Sequence, residues 1–139
     1  MKRFCFFSGG IPIALAVIYL FFTQPVFPQN IDSLDVAEAV ICQKVVNRTP
    51  VGSGTNFSAA AGKLSCFTKI VGARAETHIT HVWYYGNTER FRINLPVRSV
   101  SWRTYSTKTI QPWETGVWHV DILASEGNRL EVLNFHIDG

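Results

Sequence analysis

The chain has 139 residues, of which 13% are aromatic and 17% are charged, and its formal net charge at pH 7 is +3. Lys2 and Arg3 precede an apolar N-terminal segment, and without these two residues 11 basic residues stand against 10 acidic ones. The remaining net charge of +1 lacks the strongly basic face that nucleic-acid-binding domains need, so we expect no nucleic acid partner.

The apolar segment from Phe4 to Phe22 follows two basic residues, which predicts that the rest of the chain lies outside the cytoplasm. Its length is just enough to span a bilayer. The part from Ile11 to Phe22 also fits the apolar region of a signal peptide, although no small-residue cleavage site follows it. A cleaved signal peptide and a membrane anchor both stay open. We assign residues 1–28 to this leader and its linker, and residues 29–139 to one domain in the periplasm or cell envelope.

Three cysteines bear on the compartment. Cys5 lies in the leader, which leaves Cys42 and Cys66 as a pair in the exported part. An even number of cysteines in an oxidising compartment favours a disulfide. We therefore predict a Cys42–Cys66 disulfide, with two small buried thiols as the alternative.

Short β-branched and aromatic stretches bounded by Gly, Asn, Pro and Ser predict seven strands. They lie at about residues 36–46, 63–71, 77–85, 91–97, 100–108, 117–122 and 133–137. Gly86-Asn87 and Glu126-Gly127-Asn128 read as hairpin turns, and residues 49–62 as a loop with at most one helical turn. The predicted fold is an all-β, antiparallel sandwich of immunoglobulin-like type, with a small closed barrel as the alternative.

The histidines and carboxylates give little support for metal binding or catalysis. His78 and His81 are three residues apart, so on a strand their side chains point to opposite faces and cannot share a metal. The chain has no motif for a nucleophile, a phosphate loop or a zinc protease. We expect no cofactor, no metal and no catalytic residue.

Aromatic residues beside arginine form the candidate binding face. Trp102 and Thr104 are expected on one face of their strand, with Arg103 and Tyr105 on the other. Rings next to a guanidinium suit a sugar or a peptide. The competing interpretation is that the tryptophans fill the core. The candidate binding residues are His81, Trp83, Tyr85, Trp102, Arg103, Tyr105 and Trp113, the last in a loop and the most exposed tryptophan expected.

An ordered set of motifs resembles a bacterial family known as domain of unknown function 2914. The motifs are Arg48-Thr49-Pro50, Cys66-Phe67-Thr68, His81 to Tyr85, Trp102 to Lys108, Gly116 to Val120 and Leu130 to Phe135. The resemblance covers about residues 36–137. It implies a bacterial module that is exported or attached to a membrane segment, and it carries over no catalytic residue.

These observations favour an exported envelope module that binds another protein or a peptide. Carbohydrate binding through exposed Trp and Tyr is the second interpretation, and a small envelope hydrolase is the third. Contact with the membrane is expected through Phe4 to Phe22 if the leader is not cleaved.

Overall fold

A computed structural model describes residues 9–10 and 33–139 of the chain. The predicted leader lies almost entirely outside the described residues. Within residues 9–10 and 33–139, no helix is long and apolar enough to cross a membrane.

The described part of the chain folds into ten strands and one 3-10 turn. The strands are β1 (Asp35–Cys42), β2 (Lys44–Val46), β3 (Thr49–Val51), β4 (Asn56–Ser58), β5 (Lys63–Val71), β6 (Thr77–Tyr85), β7 (Thr88–Val97), β8 (Ser101–Thr109), β9 (Gly116–Leu123) and β10 (Arg129–Asp138). The 3-10 turn spans Ala59–Ala61, within the loop for which the sequence predicts at most one helical turn. Strands β5 and β6 match their predicted bounds.

The strands form an antiparallel β-sandwich, as the sequence predicts. One sheet has the order β1-β5-β8 and the other β4-β10-β9-β6-β7, in which only the short β4 pairs in parallel. Alternate residues of each sheet point inward and remove apolar surface from water. Trp83, Trp118 and Phe135 pack there, with ring centroids 6.0 Å apart for Trp83–Phe135 and 6.1 Å apart for Trp118–Phe135.

The first predicted strand and the loop after it differ from the structure. Instead of one strand over residues 36–46, the chain forms β1 and then a separate β2–β3 hairpin. Asn47 and Arg48 make its two-residue turn, with φ of 50° and 58°. Two successive residues with positive φ define the turn that best matches strand twist, and asparagine accepts such φ values readily.

The hairpin lies against the outer face of the three-stranded sheet. Arg103 Nη1 on β8 donates a 3.1 Å hydrogen bond to the backbone carbonyl of Arg48 in the hairpin turn. Phe67 on β5 points to the same outer face as Arg103, yet it is fully buried. β5 is therefore covered on both faces, which explains its nearly continuous burial.

The predicted disulfide is wrong, because Cys42 and Cys66 are both free and buried. In the β1–β5 register, Cys66 lies opposite Ile41 and Cys42 lies opposite Ser65. Directly opposite residues share a face and neighbours along a strand do not, so the two thiols are on opposite faces of the sheet. Burial raises the pKa of both thiols, which keeps them protonated and unreactive.

Candidate functional site

The candidate binding residues separate into a core group and a surface group. His81 and Trp83 are fully buried between the sheets. Tyr85 is half-buried, and its hydroxyl donates a 2.6 Å hydrogen bond to the Thr115 carbonyl. These three residues belong to the interior, as in the interpretation that tryptophans fill the core. Trp102, Arg103, Tyr105 and Trp113 reach the surface.

The core group forms a hydrogen-bonded network between the two sheets. Ser106 Oγ on β8 lies 2.7 Å from His81 Nδ1 and accepts a 3.0 Å hydrogen bond from Trp83 Nε1, both on β6. On the other side of the imidazole, Thr68 Oγ1 on β5 lies 3.3 Å from His81 Nε2 and donates to the Thr104 carbonyl. Every polar side chain in this part of the core thus has a partner.

The donors of this network have one consistent direction. The single hydroxyl hydrogen of Thr68 goes to the Thr104 carbonyl, so Thr68 Oγ1 accepts a hydrogen from His81 Nε2. The neutral imidazole then carries no hydrogen on Nδ1, which accepts from Ser106. Each group therefore donates to the next, from Trp83 to Ser106, then to His81, then to Thr68 and finally to the Thr104 carbonyl. This order fixes the tautomer of His81, with its hydrogen on Nε2.

The Ser106–His81 pair resembles a nucleophile and its base, but its position gives it a structural role. Burial lowers the pKa of His81 to about 4, so the imidazole is neutral at physiological pH. A substrate has no route to Ser106, because both side chains are enclosed between the sheets with exposures of 0% for His81 and 4% for Ser106. The network joins β5, β6 and β8 in one fixed arrangement.

The surface group meets in a cleft of about 320 Å³, which we call the arginine cleft. It lies where β8, the edge strand of the three-stranded sheet, approaches the C-terminal end of β7. Residues with rings or guanidinium groups dominate its lining: Arg48, Phe67, Arg98, Trp102, Arg103 and Tyr105. Tyr105 is 48% exposed and Trp102 is half-buried.

The arginine cleft is positively charged. It is lined by Arg48, Arg98 and Arg103 and by no Asp or Glu among the described residues. Arg98 lies 3.7 Å from Glu76, but both side chains are mostly exposed, so the attraction is weak. Arg103 uses one nitrogen to hold the Arg48 carbonyl, and its other donors remain for a ligand. Guanidinium groups of this kind bind carboxylates or phosphates in a bidentate manner.

Trp113 is the most exposed tryptophan, as predicted, at 72%. It does not line the arginine cleft. The next residue, Glu114, is buried, accepts a 3.0 Å hydrogen bond from the Gln111 amide and lies 3.7 Å from Arg90 Nε. Trp118 Nε1 donates to the Glu114 carbonyl at 2.9 Å. These contacts hold the loop from inside, while the ring of Trp113 stays in solvent.

The structure places no metal centre in the described residues. His81 is buried in the core and His78, three residues before it on β6, is at the half-buried end of the strand. No group of three or more His, Cys, Asp and Glu side chains comes together within residues 9–10 and 33–139. On the outer face, His119 Nε2 lies 3.8 Å from Asp121 Oδ1, and these two residues supply too few ligands for a stable site.

Two of the three cleft arginines were not predicted from the sequence. Arg48 arrives through the β2–β3 turn, which lacks the glycine that usually marks such a hairpin. Arg98 lies in the short connection between β7 and β8, a position that gives no periodic signal. The available hint was Pro96-Val97-Arg98, since proline close to a strand end marks a change of direction beside the candidate residues.

The fold and the cleft define an antiparallel β-sandwich module with a cationic aromatic groove at one edge strand. Residues 76–137 match the family described as "Protein of unknown function (DUF2914)", which supports the resemblance to that family. The match is shorter than the resemblance seen in the sequence. It contains Arg98, Trp102, Arg103 and Tyr105 but not Arg48.

Other comparisons add little. No curated protein matches the chain in sequence. Among solved structures, a beta-glucosidase from Listeria innocua, crystallised in complex with glucose, is similar with a TM-score of 0.47 and 10% sequence identity. The alignment covers 76% of this chain, which spans only 16% of that enzyme.

Proposed function

We propose that the chain is an exported accessory module of the bacterial cell envelope that binds a protein partner through the arginine cleft. The observation that carries this proposal is the convergence of Trp102, Arg103 and Tyr105 with Arg48 and Arg98 in one open groove. Rings supply large contact area, and guanidinium groups supply directional donors. Trp, Tyr and Arg are also the residues most enriched among those that dominate protein–protein binding energy.

The leader and the family resemblance supply the compartment in this proposal. Two basic residues followed by the apolar segment Phe4 to Phe22 favour export or anchoring. The motifs shared with the family favour a bacterial module attached to, or released from, a membrane.

The two other candidate functions have less support. A carbohydrate-binding platform needs several exposed rings on one surface, whereas Trp83 is in the core and Trp113 does not line the arginine cleft with Tyr105. A hydrolase needs an accessible nucleophile and base, and Ser106 and His81 are both enclosed. The arginine cleft, in contrast, is open to a macromolecular partner.

Site-specific photo-crosslinking in the native cells tests the proposal. A photoreactive phenylalanine analogue replaces Tyr105 in the full chain, and a matched control carries it at Val117, which is 63% exposed on the outer face of the other sheet. We expect a discrete protein adduct from position 105 and none from position 117. Equal adducts at both positions, or none at 105, would contradict the proposal. A protease-resistant glycan adduct would support the carbohydrate alternative instead.

A further inference from the structure

Strand β8 forms one side of the arginine cleft and is an edge strand. It pairs with β5 along its whole length, and the order β1-β5-β8 gives it no second neighbour. An edge strand presents backbone N–H and C=O groups that another polypeptide can pair with. The shape of the site therefore includes a row of backbone donors and acceptors beside the side chains.

The register identifies which residues of β8 present those groups. Gly72 N donates to Val100 O at 2.9 Å, and Ile110 N donates to Gly62 O at 2.8 Å, one pair at each end of the β5–β8 ladder. Hydrogen-bonded pairs alternate with non-bonded pairs in an antiparallel ladder. The even-numbered residues of β8 therefore bond to β5. Ser101, Arg103, Tyr105 and Thr107 turn their backbone groups toward the free edge.

The same residues turn their side chains toward the outer face and the cleft. Arg103 and Tyr105 line the arginine cleft from the outer face, and they alternate with Trp102 and Thr104, which also line it but belong to the other face of the strand. None of Arg103, Tyr105 and Thr107 makes a further backbone–backbone hydrogen bond to another strand or loop in the described part of the chain. Backbone and side-chain groups of one strand are thus directed at the same ligand.

The positive charge of the arginine cleft indicates which kind of polypeptide pairs with β8. A second copy of the chain paired along β8 would bring two sets of cleft arginines together, which like-charge repulsion disfavours. A neutral strand would leave Arg48 without a counter-charge, since its guanidinium makes no ion pair among the described residues. An acidic strand satisfies both the backbone groups and the arginines. Residues two apart on it share a face, spaced by about 6.6 Å.

We infer that the partner, given the proposed binding function, presents an extended acidic segment that adds as a strand to the free edge of β8. Its backbone pairs with Arg103, Tyr105 and Thr107. Carboxylates at alternate positions of the segment face Arg103 and Arg48, and an apolar residue at the next position on that same face, two residues further along, contacts the ring of Tyr105. Main-chain hydrogen bonds supply affinity in this mode of binding, and the alternate side chains supply specificity.

Selection from a random decapeptide library, with the full chain as bait, tests the chemistry of the segment. We expect enriched peptides with Asp or Glu at positions i and i+2. Their affinity should fall at least 10-fold for Arg103→Gln and less than 2-fold for Arg129→Gln, an exposed arginine at the start of β10 that loses the same charge. Enrichment of neutral or basic peptides, or no enrichment, would overturn the inference.

Backbone methylation and hydrogen exchange test the strand addition itself. In an enriched peptide, N-methyl groups on the amides that face β8 should weaken binding at least 10-fold, whereas methyl groups on the alternate amides should not. On the protein, exchange of the Arg103, Tyr105 and Thr107 amides should slow at least 10-fold in the complex. Equal effects of the two methylation patterns, or no change in exchange, would exclude strand addition. The cross-linking result at position 105 is independent of both measurements. It tests whether the arginine cleft binds a protein, whereas methylation and hydrogen exchange test whether the partner adds as a strand.

Discussion

Ser106 Oγ lies 2.7 Å from His81 Nδ1, and this hydrogen bond connects the two sheets across the interior of the sandwich. Ser106 also accepts from the indole of Trp83 at 3.0 Å. A single hydroxyl thus satisfies two large buried side chains. Since an unpaired polar group in a core costs free energy, this position should be sensitive to small changes.

Replacing Ser106 with alanine should destabilise the fold. The change removes the only acceptor of the Trp83 indole that the described residues provide, and it leaves His81 Nδ1 without a donor. We expect the free energy of unfolding to fall by about 1–3 kcal/mol, measured by denaturant titration. Ser99→Ala, at an exposed serine that bonds only to the Ser101 carbonyl, is the control and should stay within about 0.5 kcal/mol of wild type. Equal stability of the two variants would contradict the role assigned to Ser106.

Stability should depend on pH through His81. Its pKa is lowered by burial from 6.5 to about 4, so between these values the unfolded chain binds a proton that the folded chain does not. The contribution of neutral His81 is present in full above about pH 6.5 and is lost as the pH falls toward 4, by roughly 3 kcal/mol in all. Unfolding titrations at pH 7 and pH 4.5 measure most of this loss.

Two variants test whether His81 causes this pH dependence of stability. His136→Gln removes a half-exposed imidazole near Asp138 and should retain the dependence. His81→Asn should flatten it between pH 6.5 and 4. An NMR titration that shows His81 protonating near pH 6.5 in the folded protein would refute the assignment.

Neither cysteine in the described domain should form a disulfide. Cys42 and Cys66 lie on opposite faces of the sheet and are fully buried. In the native full chain, site-resolved mass spectrometry should find both thiols unmodified by an alkylating reagent, and both should react once the protein is unfolded in urea. Reductant should leave the unfolding midpoint unchanged. A Cys42–Cys66 disulfide peptide from the folded protein would contradict the register of β1 and β5.

Arg103→Gln should leave the fold intact. The side chain is exposed, and it contributes one hydrogen bond, to the Arg48 carbonyl in the hairpin turn. We expect the free energy of unfolding to change by less than about 1 kcal/mol, because an exposed polar contact is largely replaced by water. Thermal unfolding of the variant checks this expectation. A large fall in melting temperature would make Arg103 a structural residue and would remove it from the binding site.

Amide exchange in the free protein should alternate along β8. Trp102, Thr104, Ser106 and Lys108 bond to β5, whereas Arg103, Tyr105 and Thr107 face the free edge. We expect the odd-numbered amides to exchange markedly faster than the even-numbered ones in an NMR experiment. Strand β6 is the internal control, since β7 and β9 flank it on both sides and its amides should show no such alternation. Uniform protection along β8 would mean that its edge is already paired.

The sequence predicts the sandwich well, because alternation and turn chemistry are local signals. Gly86 and Gly127 both adopt positive φ at the predicted hairpins. The burial of Trp83 and the exposure of Trp113 also agree with patterns in the chain. The predicted disulfide is wrong for a reason that is not local. Which face a cysteine occupies depends on the register between two strands, and no sequence pattern fixed the pairing of β1 with β5.

The binding face was predicted only in part for the same reason. Trp102, Arg103 and Tyr105 were found from their own strand, but Arg48 joins them through a long-range contact across the outer face. His81 and Ser106 are 25 residues apart along the chain, and their partnership depends on how the two sheets stack. Pairs of this kind become visible only when the layers are in place.

The two unpaired thiols have a consequence for how the domain matures. A fold that needs no disulfide consumes no oxidant and needs no disulfide isomerase, so the described residues do not require an oxidising compartment in order to fold. The cysteines of the described residues therefore carry no information about the compartment in which folding takes place.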